Sequence, residues 1–165
     1  MNTFPETSPH SRAQWITHMG DFIRSIGLEL READLGSATF LPGVEIENGC
    51  LIYDPEKLLY PGDLLHEAGH MALTPAPQRA RLNGNVINTD PQREGDEIAV
   101  MLWTYAAAVE ADIPLEIVFH EHGYKGQSEW LRENYQKGTY IGLPLLKWMG
   151  LTDEDFPKMK RWLRE

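Results

Sequence analysis

The chain has 165 residues, 42% of them hydrophobic and 24% charged, with a formal net charge of -10 and a single cysteine. That length suits one domain with one core, and the acidic balance argues against nucleic acid, which is bound through clustered Lys and Arg. No run of about 18 apolar residues suggests a membrane span, and the start of the chain lacks the pattern of a secretory signal, so no membrane association is expected.

Cys50 by itself can form neither an internal disulfide nor a thiolate-rich metal site. The expectation is a reducing, cytoplasmic setting in which any metal is held by His and carboxylate groups. Residues 61–127 are the most acidic third, with 4 basic and 10 acidic side chains against 7 and 6 in residues 128–165.

Residues 1–12, rich in Ser, Thr and Pro, read as a flexible lead-in. From residue 13 to about Gly27, Trp15, Ile16, Met19, Phe22, Ile23 and Ile26 recur every three or four positions, which predicts an amphipathic helix. Leu28, Leu30 and the stretch 38–41 then read as short strands. Residues 44–53 alternate about Asn48-Gly49, a dipeptide suited to a type I′ hairpin because both of its residues tolerate positive φ. A small antiparallel sheet is expected.

Pro61-Gly62-Asp63 opens a second predicted helix, with Asp63 placed to satisfy free amides at its start, and Thr74-Pro75-Ala76-Pro77 ends it near Leu73. Residues 75–92 read as a long loop of the kind that forms functional lips or lids. A third helix is predicted over residues 94–111, apolar almost all round from Ile98 to Val109 and therefore central. Further helices are predicted after Pro114, over 128–137, over 140–149, and over 153–163 with Thr152 as its cap. The sum is one α+β domain over 1–165, a small sheet packed on a helical body, with its core in 44–109 and a helical part in 112–165.

The second helix carries His66-Glu67-Ala68-Gly69-His70. Residues four apart share a helix face, so both imidazoles can reach one cation while the intervening carboxylate reaches a water activated by it. Glu67 is then the general base and returns the proton to the leaving amine. A shuffled chain of this composition holds roughly 0.02 such motifs.

A third ligand is required. Leu73 and Ala76 stand where an extended motif would place Gly and His, which leaves a downstream carboxylate or His120 and His122. Glu97, directly before Ile98 at the entrance of the buried helix, is the first candidate, because a carboxylate there needs a partner to offset its desolvation. Glu94 follows as alternative ligand or supporting group, one turn earlier on the same face. Asp96 is read as a first-turn acid facing the helix dipole. For an oxyanion, Tyr105, His120 and His122 are the candidate stabilisers.

A short sheet, an H-E-x-x-H helix, a loop and a helix bearing a glutamate together resemble the compact gluzincin metallopeptidases, in particular the ImmA/IrrE-type family. The resemblance rests on YPGDLLHEAGH (60–70) and EGDEIAVML (94–102) and spans about 44–109. It implies a zincin-like fold, zinc at His66, His70 and Glu97, catalysis by Glu67, and peptides or proteins as substrate. The alternative function is a zincin-fold metal-binding protein that acts as a regulatory or interaction module.

Overall fold

The computed structural model describes residues 10–37, 39–84 and 95–165. Helix α1 (Arg12–Ser25) begins with a capping box, in which Ser11 Oγ accepts from the amide of Gln14 and Gln14 Oε1 accepts from the amide of Ser11. Its inner face buries Trp15, Ile16, Met19 and Ile23, the residues that set its period in the sequence. The chain then forms strands β1 (Glu29–Glu32), β2 (Val44–Glu47) and β3 (Cys50–Tyr53).

The β2–β3 hairpin turns at Asn48 and Gly49 with φ of 49° and 74°, as the type I′ turn requires. The sheet order is β1-β3-β2, and β1 runs parallel to β3, with Leu30 opposite Leu51. The sheet is therefore mixed and not antiparallel as expected. Alternation identifies strands, but the direction of β1 is set by the chain between it and β2. The amide of Ala33 donates to Tyr53 O and that of Asp54 to Gly43 O, which returns the chain past the end of β3 before β2 begins.

Helix α2 (Pro61–Ala72) starts on a proline, whose missing N–H is no loss at that position, and lies against α1, the sheet and the later helices. Leu64, Leu65, Ala68, Met71 and Ala72 are fully buried. After the short α3 (Ala76–Arg79), helix α4 (Glu97–Glu110) crosses α2 at the centre of the fold and buries Ala99, Val100, Leu102, Trp103 and Ala106 to Ala108. Two glycines permit the close approach of α2 to its neighbours. A Cβ on Gly62 would lie 2.6 Å from the carbonyl oxygens of Ile117 and Val118, and one on Gly69 would lie 3.0 Å from the Trp103 ring.

Helix α5 (Leu115–Val118), a 3₁₀ turn (Tyr124–Gly126), α6 (Ser128–Gln136) and α7 (Leu143–Trp148) complete the body. Among the described residues the architecture is α+β, with seven α-helices and a three-stranded sheet. Among them too, no helix is long and apolar enough to cross a membrane.

The helix predicted over 153–163 does not form. The segment is a series of turns with a bridge between Thr152 and Met159. Pro157 lies in its middle, where it would remove a helical donor and press on the preceding turn. The tail instead returns to α2. Trp162 packs edge-on against Trp103 and Phe22 and accepts from Trp103 Nε1 at 3.1 Å. The amide of Arg164 donates to Ala72 O at 2.8 Å and its Nη1 to Leu73 O at 3.3 Å. Arg79 donates from Nε to Met71 O and from Nη2 to Thr74 O. Carbonyls that a helix end leaves without internal partners are thus satisfied by two arginines.

Candidate metal centre

His66 and His70 lie one turn apart on α2, and Glu97 is the first residue of α4. The α2–α4 crossing brings the three together. Glu97 Oε1 is 3.0 Å from His66 Nε2, and Oε2 is 3.1 Å from His70 Nε2. The imidazoles stand perpendicular, with ring centroids 4.8 Å apart. One ligand atom from each residue lies within 4.8 Å of those of the other two, close enough for all three to hold a single metal ion.

The donor set has one unsettled atom. Glu97 Oε2 is buried and makes no hydrogen bond, although His70 Nε2 is near, because the approach lacks hydrogen-bonding geometry. A buried carboxylate oxygen without a donor is costly, and a cation shared with the two imidazoles would satisfy it. Two imidazole nitrogens and a carboxylate are also a ligand set common for zinc.

Electrostatics couple the cluster. Burial would raise the Glu97 carboxyl, but the imidazoles of His66 and His70 outweigh it and hold the group well below the usual carboxylate range. Burial works against the His66 imidazolium, yet Glu97, with smaller contributions from Glu67 and Asp63, shifts it upward overall. Glu67 is buried between the two histidines in sequence. Its carboxyl is raised, chiefly by desolvation, against the opposing pull of His70 and His66.

The other candidates fall in different places. Glu94 lies outside the described residues, as does the second half of the 75–92 loop. Its first half is helix α3 followed by a segment tied to the hairpin, where Gly49 N donates to Leu82 O and Gly84 N to Ile46 O. Asp96 is the residue immediately before α4. Tyr105 packs against Tyr135, Tyr140 and Phe156, two turns along α4 from Glu97, and burial pushes its phenol up to about 12.

His122 is half exposed and pairs with Glu121 at the surface. His120 is partly buried, stacks on Tyr60 with ring centroids 4.0 Å apart, and meets Asp63 Oδ1 through Nε2 at 2.9 Å. Asp63 therefore does not cap α2 with its side chain as expected but holds His120. The carboxylate reaches a partly buried imidazole brought in by the 115–123 segment, and that tertiary contact replaces the local one.

One neighbour was not singled out from the sequence. The Tyr124 hydroxyl lies 3.4 Å from Nδ1 of His66, and the two rings meet edge to face at 5.3 Å. Burial, with the charges of Asp63 and Glu97, pushes this phenol well above its ordinary value. Fifty-eight residues separate the pair, and neither spacing nor periodicity links them; the only local signal is the Gly-Tyr-Lys-Gly run that permits a tight turn. Compared with known proteins, the chain matches no family model, no curated protein and no solved structure.

Proposed function

We propose that the protein is a zinc-dependent peptidase with a zincin-like fold of the compact gluzincin, ImmA/IrrE-like type. The observation that carries this reading is the convergence of His66, His70 and Glu97 from two crossing helices, with Glu67 buried on the same helix as the histidines. Zinc held there would polarise a peptide carbonyl and make a water acidic enough to react near neutral pH.

The residues divide the remaining work. His66 and His70 present imidazole nitrogens and Glu97 a carboxylate, and the α2–α4 crossing brings all three together before any ligand arrives. Glu67 takes a proton from the attacking water and delivers it to the departing amine nitrogen, so that one proton is moved and the carboxylate is regenerated. A buried carboxylate serves this purpose better than an exposed one, since desolvation makes it more basic.

Glu67→Gln is the test. It keeps side-chain volume and leaves the three ligands in place. The variant is expected to bind zinc like the wild type and to lose hydrolysis of a mixed peptide library by about 100-fold or more. A folded, zinc-loaded Glu67→Gln protein that cleaves at the wild-type rate would overturn the mechanism. A wild type that binds zinc and cleaves no peptide in the library would instead favour the regulatory or interaction module.

A further inference from the structure

Tyr124 touches the side of His66 that Glu97 does not. Nε2 of this imidazole faces the carboxylate at 3.0 Å, and Nδ1 faces the Tyr124 hydroxyl at 3.4 Å. The phenol ring also lies against Phe119, with centroids 5.0 Å apart.

The backbone that delivers this hydroxyl is strained. Tyr124 and Lys125 have φ of 56° and 55°, in the left-handed region that L side chains rarely adopt. Such a conformation persists only where its surroundings impose it. Here the amides of Gly123, Gly126 and Gln127 donate to His120 O, Gly123 O and Tyr124 O, each at 3.1 Å, and Ser128 Oγ donates to His120 O at 2.6 Å. His120 at the start of the turn is bound to Asp63, one helical turn before His66 on α2. The helix that carries the imidazole thus also anchors the turn that brings the hydroxyl to it.

Resting on the metal-centre reading above, we infer that Tyr124 is a positioning residue for His66, its hydroxyl oxygen accepting the Nδ1 proton and so holding the imidazole with the Nε2 lone pair directed at the ion. A neutral imidazole carries one N–H, and the partner of one nitrogen decides which nitrogen is free to ligate. Partners of this kind typically change metal affinity 10- to 100-fold. Packing alone does not account for the residue, because phenylalanine would fill the same space against Phe119 and the edge of His66.

The test compares the wild type with Tyr124→Phe, using zinc ion in competition with a chromophoric chelator, after thermal melts of both metal-free proteins have established that they are folded. Tyr124→Phe is expected to bind zinc about 10- to 100-fold more weakly. In the zinc-loaded wild type, nitrogen-15 NMR of the histidines is expected to place the His66 proton on Nδ1. Zinc affinity in folded Tyr124→Phe within about twofold of the wild type would overturn the inference and leave the metal centre intact. A His66 proton on Nε2 in the zinc-loaded wild type would overturn it whether or not the variant folds. A wild type that binds no zinc would overturn the metal centre and this inference together.

Discussion

The carboxylate of Glu97, at the first position of α4, lies 3.0 Å from Nε2 of His66 in α2. It links two helices that also pack through Gly69 against Trp103 and Val100, so its removal separates metal binding from folding. Glu97→Gln keeps the shape but gives up the charge. Zinc affinity, measured by chelator competition, is expected to fall by about 100-fold or more while the metal-free protein still unfolds cooperatively. An unchanged affinity would show that the ligand set is incorrectly drawn.

The Asp63–His120 pair is a partly buried polar contact with little in reserve. Nδ1 of His120 is buried and has no hydrogen-bond partner, so Asp63 holds the only nitrogen that is satisfied. Asp63→Ala is expected to cost about 2 to 3 kcal/mol in urea unfolding, and Asp63→Asn, which keeps an acceptor, about 1 kcal/mol or less. Equal losses in the two variants would mean that the carboxylate acts through something other than this bond.

Gly62 and Gly69 lie on the same helix and offer a graded test of packing. A Cβ at Gly62 meets backbone carbonyls that cannot move independently, whereas at Gly69 it meets the side chains of Trp103 and Val100 at 3.0 and 3.1 Å. Alanine gains helix propensity at both positions, by up to about 1 kcal/mol. Gly62→Ala is nonetheless expected to destabilise by roughly 3 kcal/mol, and Gly69→Ala by about 1 kcal/mol or less. Thermal unfolding of the two variants side by side decides the order.

Arg79 closes the far end of α2 by donating to Met71 O and Thr74 O. Arg79→Ala leaves these carbonyls short of a donor and is expected to cost about 1 to 3 kcal/mol of stability. Because the contacts lie beyond His70 in the chain, zinc affinity is expected to change by less than about tenfold, far less than in Glu97→Gln. A zinc loss as large as that of Glu97→Gln would show that the tail and α3 set the ligand geometry.

The centre should respond to pH in opposite directions with and without metal. In the metal-free protein burial disfavours the His66 imidazolium, but Glu97, Glu67 and Asp63 more than offset this and raise its pKa. A raised folded value contributes stability that is fully present below the unfolded pKa of about 6.5 and is lost as pH rises through the folded value. Zinc needs both imidazoles neutral. Between about pH 6 and pH 8.5, this site's contribution to the Tm of the metal-free protein is expected to fall, while the increase in Tm on adding zinc grows. Calorimetry with chelator and with zinc measures both trends, and a zinc increment independent of pH would argue against imidazole ligation.

How much of this was legible in the sequence depended on the range of the forces involved. The period of Trp15, Ile16, Met19 and Ile23 marks α1, and Asn48-Gly49 marks the hairpin, because each pattern is a local response to burial or to backbone sterics. The i to i+4 spacing of His66 and His70 likewise follows from helix geometry alone. The C-terminal segment departs from its expected helix because the cap signal at Thr152 does not outweigh Pro157, a residue that by itself argues against a continuous helix.

The residues that complete the centre follow a different logic. An apolar α4 next to an acidic entrance made Glu97 a reasonable choice among several carboxylates, but only the crossing of α2 and α4, packed through Gly69 against Trp103 and Val100, brings its oxygens to both imidazoles. The parallel direction of β1, the pairing of Asp63 with His120, the approach of Tyr124 to His66 and the return of Arg164 to Ala72 all join residues at least 20 positions apart. Each is decided by which surfaces remain to be covered once the local elements exist. Sequence alone determined α1, α2, α4, the hairpin and the paired histidines, since those depend on neighbours within a turn or a tight bend; tertiary packing decided the third carboxylate and the hydroxyl behind His66, because no local period relates the segments that carry them.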